Sequence, residues 1–176
     1  MQKTICVLIA LGVPLFSQSD SPSFVTEGTI NASVAEVWRV WTSSEGYKAT
    51  GVAQADVDFR IGGLIRSRYS STGILGDDET IENRILAYEP RRMIAIRIEK
   101  PPKSFPFKDA WKQTWTVVTL TDLGNNRTGI RVASMGYGTD DESIAMRRFF
   151  ETGNASTLKT LQRYFDSAAV REPGKR

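Results

Sequence analysis

Hydrophobic and polar positions follow three rhythms along the 176-residue chain. A near-continuous apolar run, residues 4–16, comes first, broken by Pro14. Residues 24–32 then alternate in the manner of a strand. From Ser33 the spacing becomes helical: Val34, Val37, Trp38 and Trp41 form one stripe. Ser33 and Glu36 stand at the two positions of a capping box, which satisfies the free amides of a first helical turn. Residues 43–51 hold a second short helix that stops at Gly51. From Val52 the period becomes two. Ala55, Val57, Phe59 and Ile61 fall on one face, with Asp56, Asp58 and Arg60 on the other. Gly62-Gly63 is a turn signal. Ile65, Ser67 and Tyr69 alternate against Arg66 and Arg68. Two paired strand patterns follow, one around Glu89-Pro90 and one around Gly124-Asn125-Asn126. Thr139-Asp140-Asp141-Glu142 is an acid-rich helix start, and a helix of about 30 residues runs from there to about Ala169, with Pro173 and Gly174 beyond it.

The order is therefore strand, two short helices, six strands and one long helix. Consecutive hairpins make an antiparallel sheet. One face of that sheet needs cover, and only the terminal helix is long enough to give it. The expected fold is α+β: a curved antiparallel sheet of about seven strands wrapped around a long C-terminal helix, with two short helices after strand 1. Lys3, the apolar run and the small residues Ser17 and Ser19 read as a secretory signal peptide over residues 1–19, cleaved before Asp20. The expected folded domain is 20–170, followed by a basic disordered tail, 171–176. The expected location is secreted or periplasmic, with no membrane span after cleavage.

Composition narrows the chemistry. The chain has no histidine, and its single cysteine, Cys6, lies in the signal segment. A histidine base, a catalytic thiol and His/Cys metal sites are thereby excluded from the mature chain. No metal or cofactor is expected. Net charge is +3, and basic residues are dispersed except in the tail, so no patch for nucleic acid is formed.

Several stretches carry a resemblance. The segments "INASVAEVWRVWTSSEGYKAT", "VDFRIGGLIRSRY", "YEPRRMIAIRI" and "WTVVTLTDLGNNRTGIRVASMGYG" are similar to the activator-of-heat-shock-protein-ATPase homologues of the START/Bet-v-like (SRPBCC) superfamily. "SFPFKDAWKQTW" and "MRRFFETGNASTLKTLQRYF" resemble an exported bacterial branch of it. The resemblance spans about residues 24–166. It implies the helix-grip fold, with a hydrophobic cavity between sheet and long helix. It does not imply one reaction, because members include binding proteins, cyclase-like enzymes and co-chaperones.

The candidate pocket residues are polar positions among apolar ones, as a ligand site requires. On the sheet they are Ile65, Ser67 and Tyr69, then Asn83 and Ile85, then Ser134. On the long helix they are Phe150, Asn154 and Leu158, spaced by four. Trp41 ends the first helix as a cavity neighbour, and Phe105 and Phe107 in a Pro-rich stretch form a lid. Gly153-Asn154 is a weak spot in the middle of the long helix. Either Gly153 allows close packing on the sheet and Asn154 bonds to backbone, or Asn154 projects into a cavity and holds a ligand. The function read from this pattern is binding of a small apolar or amphipathic molecule. The alternatives are a cyclase- or hydrolase-type enzyme using Tyr69, Asn83 or Asn154, and a co-chaperone-like interaction module.

Overall fold

The computed structural model describes residues 23–171; the expected signal peptide and residues 172–176 of the expected tail lie outside them. The elements are β1 (Phe24–Ile30), α1 (Val34–Thr42), α2 (Ser44–Tyr47), a 3-10 turn (Lys48–Thr50), β2 (Gln54–Val57), β3 (Leu64–Arg68), β4 (Ile81–Glu89), β5 (Met93–Lys100), a second 3-10 turn (Ala110–Gln113), β6 (Trp115–Asp122), β7 (Thr128–Met135) and α3 (Asp141–Arg171).

Seven strands form one sheet in the order β1-β7-β6-β5-β4-β3-β2. Every pairing is antiparallel. The hairpins from β2 to β7 lie side by side, and β1 joins the far edge against β7. Two turns are made by residues with positive φ: Arg91 between β4 and β5, and Gly124, Asn125 and Asn126 between β6 and β7. Gly and Asn tolerate that conformation best, which is why the Gly-Asn-Asn signal is reliable.

The capping box at α1 is present. The Ser33 hydroxyl accepts from the Glu36 amide, and the Glu36 carboxylate accepts from the Ser33 amide at 2.9 Å. The Ser33 hydroxyl also donates to that carboxylate at 2.6 Å, and this bond, with the one from the Ser33 amide, holds the Glu36 carboxyl below the usual range. Asp140 does the same work ahead of α3, accepting from the Ser143 amide at 3.0 Å. The core lies between sheet and helices. Ile30, Val37, Ile65 and Ile85 are fully buried, and Leu161 and Phe165 of α3 complete it. At Gly28 the strand and α3 meet closely: a Cβ there would stand 2.7 Å from Leu158 Cδ2.

One local expectation changes. The alternation from Ala55 to Ile61 does not make a long strand, because β2 ends at Val57. The chain turns tightly after Asp58, and a Cβ on Gly63 would lie 2.0 Å from the Asp58 carbonyl oxygen. Gly62 and Gly63 instead bond to the backbone of Ile85. Phe59 still turns inward onto Trp38 and Tyr88, but Ile61 is left 64% exposed. Arg68 follows Ser67 on β3. It is buried, ion-paired to Asp77 as the loop after β3 folds back over it.

Candidate ligand pocket

A pocket of about 440 Å³ lies between the sheet and α3. Strand register explains its polar wall. Ser67 of β3 stands beside Ile81 of β4, and Asn83 stands opposite Ile98 of β5. Ile96 faces Thr116, which faces Ser134. All of these residues line the pocket. A band of small polar side chains, spaced by isoleucines, thus crosses from β3 to β7. Above it pass Phe150, Asn154 and Thr157 of α3, and one end is closed by Trp41, Tyr47 and Thr50.

Of the sequence candidates, Trp41, Ser67, Tyr69, Asn83, Ser134, Phe150, Asn154 and Phe105 are brought together on the pocket wall. Tyr69 stands at its rim, 69% exposed, just past the end of β3. Ile65, Ile85, Leu158 and Phe107 are not on the wall. Ile65 and Ile85 lie on neighbouring strands, fully buried in the core beside the pocket rather than in it. Leu158 is one further turn along α3 from Asn154, and there the helix has passed onto β1, against Gly28. Phe107 packs edge-on against Phe105 and Phe149, whose centroids are 5.3 and 5.6 Å away. It backs the lid residue without reaching the pocket.

Among the wall residues that escaped the sequence reading are Thr116, Tyr137 and Tyr47. Thr116 shares a face with Val118 and Leu120, so the alternation that singled out Ser134 also points to its cross-strand partner. Tyr137 breaks the alternation because Gly136, at φ 81°, turns the chain between them. Tyr47 sits in a four-residue helix, too short for any periodicity to show its direction. Burial pushes the phenols of Tyr47 and Tyr137 far above the usual range. Neighbouring Tyr69 and Glu151, respectively, push the same way. Both are neutral hydroxyls at any physiological pH.

Hydrogen bonding on the wall is sparse. Among the described residues, the hydroxyls of Ser67, Tyr47 and Thr116 and the amide of Asn83 have no side-chain hydrogen bond. The Trp41 indole N–H is buried with no acceptor. Asn154 donates to the Ser134 hydroxyl across the pocket at 3.4 Å, a long bond. Its partner is a side chain on the opposite wall. The structure thereby separates the two residues of the helix's weak spot. Asn154 lines the pocket, whereas Gly153 is exposed and a Cβ there would touch nothing within 4 Å. Close packing does not explain the glycine. Gly153→Ala is accordingly expected to raise unfolding free energy by about 0.5–1 kcal/mol, through restored helix propensity alone. Urea unfolding measures it; a loss of stability would reveal a contact at Gly153.

The Pro-rich stretch that carries Phe105 is tied to the loop before β4 and to α3. Ser104 Oγ donates to Glu79 at 2.6 Å, and the amides of Lys108 and Asp109 donate to the Glu142 carboxylate in the first turn of α3. Phe105 meets Phe149 and Phe150 at 5.9 and 6.0 Å, distances at which edge-on aromatic pairs attract.

A curved antiparallel sheet gripping a long C-terminal helix, with a pocket between them, defines a helix-grip protein. The chain belongs to the family described as Activator of Hsp90 ATPase homolog 1-like protein, whose model matches residues 31–166. Among curated proteins, none matches this sequence. Solved structures share the fold at low identity. A Mesorhizobium loti protein is 16% identical with a TM-score of 0.64, covering 82% of this chain and 96% of its own. The Aha1 dimer from Colwellia psychrerythraea is 15% identical with a TM-score of 0.61, covering 80% and 93%. An HSP90 activator from Plasmodium falciparum is 12% identical with a TM-score of 0.59, covering 82% and 96%. No described helix is long and apolar enough to cross a membrane.

Proposed function

We propose that this protein binds a small apolar or amphipathic molecule in the pocket under α3, without catalysing a reaction on it. The observation that carries this is the pocket wall itself: apolar side chains interrupted by polar groups, among them a buried Trp41 indole N–H that lacks an acceptor within the protein. Leaving such a buried donor unpaired costs about 1–3 kcal/mol. A ligand that satisfies it recovers that cost.

The other two readings receive less support. General acid-base catalysis needs a titratable group poised near the reacting atoms. No Asp, Glu or Lys lines the pocket, and its buried phenols titrate far above neutrality. A co-chaperone-like module, the reading to which the similar fold of an HSP90 activator lends support, would be favoured by a filled interior and a flat apolar outer face. Here the interior holds the pocket.

The sequence reading adds export to the proposal: residues 1–19 direct the chain out of the cytoplasm, as in the exported branch that it resembles. Native mass spectrometry of protein purified from the exported fraction tests both parts at once. The expected mass is that of a chain beginning at or near Asp20, plus a small organic adduct that is lost on denaturation. A chain from that fraction still beginning at Met1 would defeat cleavage, and absence of the protein from that fraction would defeat export. Stoichiometric protein without an adduct, which also binds none of a panel of neutral apolar probes, would defeat ligand binding.

A further inference from the structure

The two ends of the pocket differ chemically. One end is built by the corner formed by α1, α2 and the first 3-10 turn, which reaches α3 near Thr160: a Cβ on Gly51 would lie 3.5 Å from its side chain. The other end is built by Phe105 of the lid and by Phe149 and Phe150 of α3. Between Phe150 and Thr157, both on the wall, α3 advances about 10 Å. That length accommodates a molecule of two or three fused or linked rings lying along the helix.

The corner end carries hydrogen-bond donors with nothing to receive them. Trp41 is only 6% exposed, lines the pocket, and has an indole N–H without an acceptor among the described residues. An indole nitrogen can only donate. Tyr47 packs edge-on against it, with ring centroids 6.0 Å apart, and is 8% exposed. Its hydroxyl is held protonated by burial and donates to no described residue. Neighbouring wall groups at this end, Thr50 and Ser67, are uncharged. The one charged side chain on the whole wall, Arg97, is half exposed and reaches Glu99. A ligand ion brought to the corner would therefore be buried without a countercharge, which is strongly unfavourable. A neutral acceptor oxygen would not.

We infer, on the basis of the ligand-binding reading above, that the occupant is an uncharged amphipathic molecule held head-first. Its carbonyl-type oxygen accepts from Trp41 Nε1 and the Tyr47 hydroxyl, and its apolar body lies along α3 towards Phe105 and Phe150. Trp41 and Tyr47 are then the residues that set specificity for the head group. Binding sites that donate to a buried acceptor discriminate against analogues lacking it, because the donors are left unpaired.

The test uses two neutral fluorescent probes of nearly equal size: prodan, a dimethylaminonaphthalene ketone, and its propyl analogue without the carbonyl. The full-length fold binds prodan about tenfold more tightly than the propyl analogue. Trp41→Phe and Tyr47→Phe each reduce that preference at least threefold while affinity for the propyl analogue stays within twofold. Prodan emission shifts to the blue in both variants as its carbonyl loses a donor. Tyr47→Phe retains the ring and keeps the test decisive if Trp41→Phe does not fold. Equal affinity of the wild-type protein for both probes, or a preference unchanged in the folded variants, would overturn the head-first orientation alone. If neither probe binds the wild-type protein, the ligand-binding reading falls and this inference falls with it.

Discussion

Ile85→Ala is expected to lower the free energy of unfolding by about 2–5 kcal/mol while leaving ligand affinity within twofold. Ile85 has no exposed surface. Its backbone bonds to Gly62 and Gly63, where the chain turns tightly between β2 and β3. It also packs in the same buried cluster as Ile65, Ile94 and Val118. Truncation removes apolar contacts on every side, and a sheet hydrogen-bonded on both flanks does not collapse to fill the space. A loss of this size is a large fraction of the stability of an ordinary domain. Urea unfolding reads it as a fall in midpoint with an unchanged slope. Prodan titration well below the melting temperature reads the affinity. If the variant lost affinity but less than about 1 kcal/mol of stability, Ile85 would belong to the pocket wall after all.

Asn154→Leu should show the opposite pattern. Affinity for prodan falls by at least tenfold, and stability changes by less than about 1 kcal/mol. Two terms of similar size cancel in stability. The buried Ser134 hydroxyl loses its donor, which costs about 1–3 kcal/mol. A leucine gains burial worth about 1.5–3 kcal/mol when complete. Nothing cancels in binding: the amide's hydrogen bonding and part of the free volume disappear together. Loss of one such hydrogen bond alone spans about five- to 150-fold in affinity. Unfolding and binding measured on the same variant decide the matter. Marked destabilisation with unchanged affinity would make the Asn154 to Ser134 bond a structural tie across the fold.

Periodicity carried most of the architecture. A switch from spacing of three and four to spacing of two, and back again, is a property of which residues meet water. It therefore survives in the sequence with no knowledge of what packs on what. Ser33 with Glu36, and Gly-Asn-Asn before Arg127, are local chemistry read correctly for the same reason: partners a few residues apart are visible as neighbours in the chain. So was the antiparallel order, because consecutive hairpins leave little topological choice.

What periodicity could not supply was depth. Ile65 and Ser67 share a face of β3, and so do Asn83 and Ile85 on β4, yet only Ser67 and Asn83 reach the pocket. Which residues on one face line a cavity and which are sealed in the core depends on where α3 crosses the sheet. That crossing is set by contacts far apart in sequence: Leu158 on Gly28, and Gln162 on the Thr29 carbonyl. The same holds for Tyr47, aimed by a four-residue helix, and for Tyr137, redirected by Gly136. The alternation of side chains along strand and helix by itself determined that a curved sheet would grip a long helix. Only the tertiary structure decided that Asn154 would look into a pocket while Gly153 looked out, because one helical step turns a side chain through about 100°, and only the sheet opposite says which direction is inside.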